Sequence, residues 1–215
     1  MKTIYAVVGD YYHRESDIRE ALDAALAPLT DAGTHRLVYG EAERLSAILE
    51  EKPDAVVLFK ENRLKPQEDP EALWMTEEIG EAISRYVREG GGWLAWHAGM
   101  ASFAPDSPYI RMLKGGFLSH PQLQQTVRYE GCAPDDPARA VAFAMRDEHY
   151  FVSCDEDGTE VFLRSESVDG RSVAGWRHAH GQGRVVCLTP AHNREGLLLP
   201  AFQQILLGSV KRCLG

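Results

Sequence analysis

The feature of the sequence that most constrains the fold is the run Asp54–Phe59 (Asp-Ala-Val-Val-Leu-Phe), which is apolar without a break after its first residue. A strand with one face in water alternates apolar and polar residues, whereas a strand covered by helices on both faces does not. The run therefore predicts a buried strand of a parallel sheet. Three further short runs predict other strands, at Thr3–Val8, His35–Tyr39 and Trp93–His97.

Segments with apolar residues at helical spacing separate these strands. The first contains Ile18, Leu22, Leu26 and Leu29, the second Leu45, Ile48 and Leu49, and the third Ile79, Ile83, Tyr86 and Val87. Ser16 and Thr76 have side chains suited to capping the first and third helices. The glycines Gly90–Gly92 are typical of a helix end. The order β-α-β-α-β-α-β predicts a parallel sheet with right-handed crossovers.

The pattern changes after residue 120. Short strands joined by turns are predicted at Gln125–Tyr129, Val141–Met145, Tyr150–Ser153 and Glu160–Ser165. Ser172–His178 and Gly183–Leu188 flank a glycine-rich turn and predict a hairpin, and Glu195–Leu214 predicts a closing amphipathic helix that Pro200 interrupts or starts late. We therefore predict one α/β domain over residues 1–215, with an antiparallel elaboration inserted before the last strand and helix.

Charge and hydropathy exclude several classes of protein. The 23 basic and 32 acidic residues give a net charge of −9 with histidine neutral, which disfavours binding to nucleic acid or to an anionic membrane. No apolar stretch approaches the roughly 18–20 residues that cross a bilayer, and the apolar start Met1–Val8 meets Gly9 too soon for a signal peptide. Four widely spaced cysteines without a CxxC pair predict reduced, structural thiols. We expect a cytoplasmic protein that binds neither nucleic acid nor membranes.

Polar residues follow several of the predicted strands. The carboxyl ends of parallel strands meet at one edge of a sheet, and ligands of open α/β folds bind there. The segments at these ends are Gly9–His13, Lys60–Arg63, His97–Gly99 and Thr189–His192. Three of the eight histidines, His13, His97 and His192, therefore lie where a site is expected.

The most specific local motif is Ala95-Trp96-His97-Ala98-Gly99. It has the form of a nucleophile elbow, in which small neighbours allow a strained turn to present one side chain. The presented residue is histidine instead of serine or cysteine, so covalent acyl-enzyme chemistry at this position is excluded. From the motif alone, His97 is equally well explained as a hydrogen-bonded core residue.

The order of several short motifs resembles the ThuA-like (trehalose-utilisation) family. The motifs are Tyr12-His13, Gly90-Gly91-Gly92 leading to Trp96-His97, Gly115-Gly116-Phe117-Leu118-Ser119-His120-Pro121, Asp147-Glu148-His149-Tyr150, Gly175-Trp176, Gly181-Gln182-Gly183-Arg184-Val185 and Ala191-His192. The resemblance covers nearly the whole chain. It implies a flavodoxin-like three-layer sandwich like that of the class I glutamine amidotransferases, with a mostly parallel central sheet. The amidotransferase cysteine is absent, in agreement with the elbow.

The resemblance and the strand ends together indicate candidate site residues. The candidates for catalysis are His97, His120, Asp147, Glu148 and His192, and those for substrate binding are Tyr12, His13, Trp96 and Phe117. Aromatic rings beside hydrogen-bonding groups suit the apolar CH faces of a sugar. His178 and His180, on the predicted hairpin, are expected to face solvent.

Two kinds of chemistry are open to the histidines. Neutral imidazoles bind a divalent metal such as zinc, here through His97 and His120, with one position left for substrate. Imidazoles with pKa values near neutrality also act as general acid and base. No HxH or HxxxH pair occurs at the elbow, so the sequence does not decide between them.

Our leading hypothesis is an enzyme of carbohydrate utilisation that acts on trehalose, a related disaccharide or a keto-sugar. The substrate class is implied by the resemblance. The alternative is a non-catalytic sugar-binding or regulatory module on the same fold. Either way the partner is a small sugar ligand, and the apolar closing helix is as compatible with a homo-oligomer as with packing on its own sheet.

Overall fold

The computed structural model describes residues 1–133 and 141–215. Within these ranges the strands are β1 (Lys2–Val8), β2 (His35–Tyr39), β3 (Ala55–Phe59), β4 (Arg63–Lys65), β5 (Asp69–Leu73), β6 (Gly92–Trp96), β7 (Gly115–Ser119), β8 (Gln125–Gly131), β9 (Ala142–Asp147), β10 (Phe151–Cys154), β11 (Glu160–Ser167), β12 (Gly170–His180) and β13 (Gly183–Leu188). The α-helices are α1 (Glu15–Thr30), α2 (Leu45–Glu50), α3 (Glu77–Arg88), α4 (Pro108–Leu113), α5 (Arg194–Leu197) and α6 (Pro200–Leu214), with 3-10 turns at Ala42–Arg44 and His97–Met100.

The main sheet has nine strands in the order β2-β1-β3-β6-β13-β12-β11-β8-β9. The first five are parallel, because β1 pairs with β2 and β3, and β6 pairs with β3 and β13, all in parallel. The other four are antiparallel, each to its neighbour. Two small antiparallel pairs, β7 with β10 and β4 with β5, complete the strands. The predicted α/β fold, with a mostly parallel sheet and an antiparallel second half, is confirmed.

Two hydrophobic cores lie on the two faces of the sheet. Side chains alternate along a strand, so on β6 Leu94 and Trp96 join the core beneath α1 and α6, whereas Trp93 and Ala95 join the core beneath α2, α3 and α4. Both faces of β3 and β6 are buried throughout. This explains why Asp54–Phe59 shows no polar alternation.

Most predicted elements are confirmed, and the differences have simple causes. Thr76 caps α3 by accepting a hydrogen bond from the backbone N–H of Ile79. The closing helix starts at Pro200, where the missing N–H costs no helical bond, and the short α5 precedes it. The prediction that Ser16 caps the first helix is wrong, because α1 begins at Glu15 and Arg14 occupies the cap position. The hairpin β4–β5, helix α4 and strand β7 were not predicted, because their short segments carry little periodic signal.

The prediction that His178 faces solvent is also wrong. Its ring is half-buried, and Nε2 lies 2.9 Å from the carbonyl oxygen of Met112, to which it donates. Nδ1 is buried without a hydrogen-bond partner among the described residues. Burial lowers the pKa of His178 to about 4, against the opposing effect of the Met112 hydrogen bond. His180 is likewise held by the fold, with Nε2 3.0 Å from the Ser84 hydroxyl.

The depressed pKa of His178 predicts a loss of stability in acid. Below the unfolded-state pKa of about 6.5, His178 binds a proton in the unfolded chain but stays neutral in the folded chain. The contribution of His178 to the free energy of unfolding is therefore fully present above that pH, and it declines as the pH falls towards 4. The slope from this group approaches about 1.4 kcal/mol per pH unit. Urea unfolding at pH 7.5, 6.0 and 5.0 measures it. We expect His178→Gln, which keeps an amide donor for Met112, to flatten the slope, and the control His35→Gln to flatten it less.

Candidate functional site

Four side chains converge at the carboxyl edge of the parallel strands. One donor atom from each of His13, His97, Glu148 and His192 lies within 4.8 Å of all the others. We call these four residues the His–Glu cluster. His13 follows β1, His97 follows β6 and His192 follows β13, whereas Glu148 follows β9 at the far edge of the sheet.

The elbow after β6 fixes His97. Its φ of 46° lies in the left-handed region that non-glycine residues rarely adopt, and it begins the 3-10 turn His97–Met100. Gly99 allows this turn to approach β3, because a Cβ at Gly99 would lie 2.1 Å from the carbonyl oxygen of Leu58. The predicted elbow geometry is therefore present, with an imidazole in the presented position.

A hydrogen bond from the His97 ring defines its tautomer. Nδ1 lies 2.5 Å from the carbonyl oxygen of Thr189, which can only accept, so Nδ1 carries the proton. Complete burial, and next the nearby imidazoles of His13 and His192, hold the pKa of His97 well below its usual range. The ring is therefore neutral, and Nε2 presents a lone pair. Nε2 is buried and has no hydrogen-bond partner among the described residues.

His13 is oriented in the same manner by Asp10. Nδ1 of His13 lies 2.7 Å from Oδ1 of Asp10, and the backbone N–H groups of Tyr12 and His13 donate to that same oxygen. Burial raises the pKa of Asp10, but the hydrogen bond and charge of His13 outweigh it, and the net pKa is lowered. An ionised Asp10 keeps the proton of His13 on Nδ1. Nε2 then faces the cluster, 3.0 Å from Nδ1 of His192.

His192 and Glu148 form the more open part of the cluster. Nδ1 of His192 lies 3.2 Å from Oε2 of Glu148, and the two side chains are 18% and 19% exposed. Burial lowers the pKa of His192, but Glu148 raises it more, and the net pKa is raised. Burial raises the pKa of Glu148, but His192 reverses this, and the net pKa is lowered. The same Glu148 oxygen lies 3.8 Å from Nε2 of His97, so it faces two cluster histidines.

Asp147, a predicted catalytic residue, lies behind the cluster. It is fully buried, and Oδ1 accepts hydrogen bonds from the backbone N–H groups of Glu148 and His192. Burial raises its pKa to about 6, against the hydrogen bonds it accepts from Tyr129 and these N–H groups. Its contacts are those of a residue that holds the cluster together.

His120, predicted with His97 as a metal ligand, is not part of the four-donor group. Its ring is exposed, and Nδ1 donates to the carbonyl oxygen of Pro121 at 2.7 Å. It lies nearly parallel to the ring of Tyr150, with centroids 6.0 Å apart. Tyr150 also stacks on His97, with ring centroids 4.1 Å apart. His120 is therefore connected to His97 through the ring of Tyr150.

The predicted substrate-binding aromatics occupy different positions. Tyr12 is 44% exposed, and its hydroxyl accepts a hydrogen bond from Gln67. Phe117 is half-buried beside Tyr150, with ring centroids 4.5 Å apart. Trp96 is fully buried in the core, where its ring packs on Phe59 and its indole N–H donates to the Pro190 carbonyl. The structure therefore places Trp96 behind the site.

Sequence reasoning missed several residues around the cluster. Asp10 was visible only as part of a strand-end segment, and Thr189 contributes a backbone atom that no side-chain pattern marks. Glu61 follows β3 and is 2% exposed, and one of its oxygens accepts from Arg63 and Ser102. The other oxygen has no hydrogen-bond partner among the described residues. A polar residue directly after an apolar strand was the available signal.

The described residues form an α/β fold with three imidazoles and one carboxylate gathered at the carboxyl edge of its parallel strands. The chain belongs to the ThuA family, whose model, described as trehalose utilisation, matches residues 12–211. No curated protein matches the sequence significantly. No helix among the described residues is long and apolar enough to cross a membrane.

Solved structures share the fold at low sequence identity. A ThuA-like protein from Parabacteroides merdae aligns with a TM-score of 0.75 and 15% identity over 99% of this chain and 90% of that one. A cytoplasmic protein from Salmonella typhimurium aligns with a TM-score of 0.65 and 13% identity over 99% of both chains. A β-galactosidase from Bacillus circulans aligns with a TM-score of 0.68 and 9% identity over 97% of this chain but 30% of that one.

The close approach at the elbow predicts a stability difference between two glycine variants. We expect Gly99→Ala to destabilise the fold by about 1–3 kcal/mol, because its Cβ meets the Leu58 carbonyl oxygen. The control Gly208→Ala in α6 meets no atom within 4 Å and should stabilise by about 0.5–1 kcal/mol through helix propensity. Urea unfolding measures both. Equal effects of the two substitutions would contradict the elbow geometry.

Proposed function

We propose that this protein is a metal-dependent enzyme acting on a sugar or keto-sugar, with the His–Glu cluster as the site of a divalent cation such as zinc. The observation that carries the proposal is Nε2 of His97. It is a buried lone pair without a hydrogen-bond partner among the described residues, and it lies among three other donor atoms. An unpaired buried acceptor costs free energy, and a cation would satisfy it.

The donor set fits zinc. Three imidazoles and one carboxylate are ligands that Zn²⁺ accepts, and a catalytic zinc can expand to five ligands, which leaves a position for substrate or water. Metal-binding histidines are commonly oriented by a carboxylate or carbonyl on the other ring nitrogen. Asp10 does this for His13 and the Thr189 carbonyl does it for His97. Nδ1 of His192 lies between Glu148 and His13. A bound cation would compete with the proton for this nitrogen.

Each group would have a distinct part in catalysis. A bound cation supplies Lewis acidity towards a carbonyl or a water molecule. Glu148 and His192, the more open members of the cluster, would hold the cation on the side that a ligand can reach. His120 uses Nδ1–H for the Pro121 carbonyl, which leaves Nε2 as an acceptor on an exposed ring. It is therefore the candidate general acid or base.

Several observations support a sugar ligand in the cytoplasm. The family is described by trehalose utilisation. Tyr12 and Phe117 offer aromatic faces near the cluster, suited to the CH faces of a sugar ring. Two structural relatives from Salmonella typhimurium are described as cytoplasmic proteins.

Metal content tests the proposal directly. We expect purified, tag-free protein to hold near one equivalent of zinc or a similar ion by elemental mass spectrometry. His97→Ala should lose it, because the substitution removes one of four donors. His178→Gln, which alters a half-buried histidine outside the cluster, should keep it. A protein without metal even after incubation with excess zinc, manganese or cobalt would contradict the proposal and favour metal-free acid–base chemistry or simple binding.

Turnover separates an enzyme from a binding module. With the metal present, we expect product from a panel of trehalose and keto-disaccharides, measured by chromatography. His97→Ala and His120→Ala should each reduce the rate at least a hundredfold, in line with the loss of a metal ligand or a general acid–base. Saturable binding without product across the panel would support the sugar-binding alternative.

A further inference from the structure

Glu148 and His192 meet although they come from distant parts of the sheet. Glu148 follows β9, the edge strand, and His192 follows β13, with β12, β11 and β8 between them in the sheet order. Their side chains nevertheless lie 3.2 Å apart. The antiparallel half must therefore curl back towards the parallel half, and a specific contact is needed to set the distance between the two loops.

That contact is a single carboxylate oxygen. Oδ1 of Asp147 accepts from the backbone N–H of Glu148 at 3.0 Å and from the backbone N–H of His192 at 2.8 Å. Both cluster residues are thus held through their main chains, on the same atom. Bonds to the main chain leave the side chains free to face the cluster.

The second oxygen of Asp147 is held by Tyr129. The Tyr129 hydroxyl donates to Oδ2 at 2.7 Å, and its ring on β8 stacks on Phe143 of β9, with centroids 5.1 Å apart. Tyr129 is 1% exposed and Asp147 is 0% exposed. A buried carboxylate is costly unless its oxygens are hydrogen-bonded, and these three donors meet that need.

We propose that Asp147 and Tyr129 are a positioning pair, which sets the separation of Glu148 and His192 and so assembles the His–Glu cluster. Asp147 does not touch the substrate in this assignment. The importance of the pair for metal binding rests on the proposed function, whereas its effect on the two loops does not.

Two substitutions of Asp147 separate hydrogen bonding from charge. Asp147→Ala removes the acceptor for both N–H groups. Asp147→Asn keeps an oxygen for both of them and turns its amide towards Tyr129, whose hydroxyl can then accept. Tyr129→Phe removes only the donor to Oδ2, and it provides a milder variant if Asp147→Ala fails to fold. Tyr86→Phe, which alters a buried tyrosine of the opposite core whose hydroxyl donates to the Pro53 carbonyl, is the control.

The test combines two measurements on folded protein. Zinc dissociation constants are measured by competition with a chelator, and exchange of the Glu148 and His192 backbone amides is followed by NMR. We expect Asp147→Ala to weaken zinc binding at least tenfold and to expose both amides. Asp147→Asn should stay within threefold of the wild type with both amides protected, and Tyr129→Phe should fall between them. Tyr86→Phe should change neither quantity.

The outcomes distinguish this inference from the proposed function. If the wild type binds no zinc, the metal proposal fails, and the positioning pair is judged on amide exchange alone. Equal protection of the two amides in the wild type and in Asp147→Ala would overturn the pair. So would zinc binding by folded Asp147→Ala within twofold of the wild type, or loss of zinc binding in Asp147→Asn with both amides still protected.

Discussion

The arrangement of the site depends on the fixed position of β6. This strand is hydrogen-bonded on both edges, to β3 and β13, and packed on both faces by the two cores. It cannot shift without breaking two ladders and unpacking Trp93 and Trp96. His97 is the first residue beyond it, and the left-handed turn carries the imidazole to the sheet edge. The position of the His97 side chain is therefore fixed by the strand.

The electrostatics of the cluster follow from the different degrees of burial of its members. The most deeply buried imidazole, His97, stays neutral because a charge there would lose its hydration, and a carbonyl selects its tautomer. The pair Glu148 and His192, whose side chains lie 3.2 Å apart, occupies the more exposed part. Asp10 and Asp147 lie behind the cluster. Asp10 accepts a hydrogen bond from a ring nitrogen of His13, and Asp147 accepts hydrogen bonds from main-chain N–H groups. Buried lone pairs and a more open carboxylate–imidazole pair are thus brought together in one place.

Local pattern predicted much of the fold but not all of it. The run Asp54–Phe59 correctly predicted a strand buried on both faces, because a strand covered on both sides has apolar residues at successive positions. Ser16 was a misleading signal, since a serine near a helix start caps only when the chain enters the helix at that residue. The hairpin β4–β5 was missed because its strands are short and largely exposed, so no core imposes a pattern on them.

By itself, the sequence determined that His13, His97 and His192 share one edge of the sheet, and that no serine or cysteine stands in the elbow. Both follow from the order of strands, since the carboxyl ends of parallel strands coincide whatever the packing. Only the tertiary structure decided that Glu148 completes the cluster while His120 stays outside it, and that Trp96 turns into the core. Those outcomes depend on how far the antiparallel half curls and which way each ring packs. They are set by contacts between residues far apart in the chain, which leave no trace in local spacing.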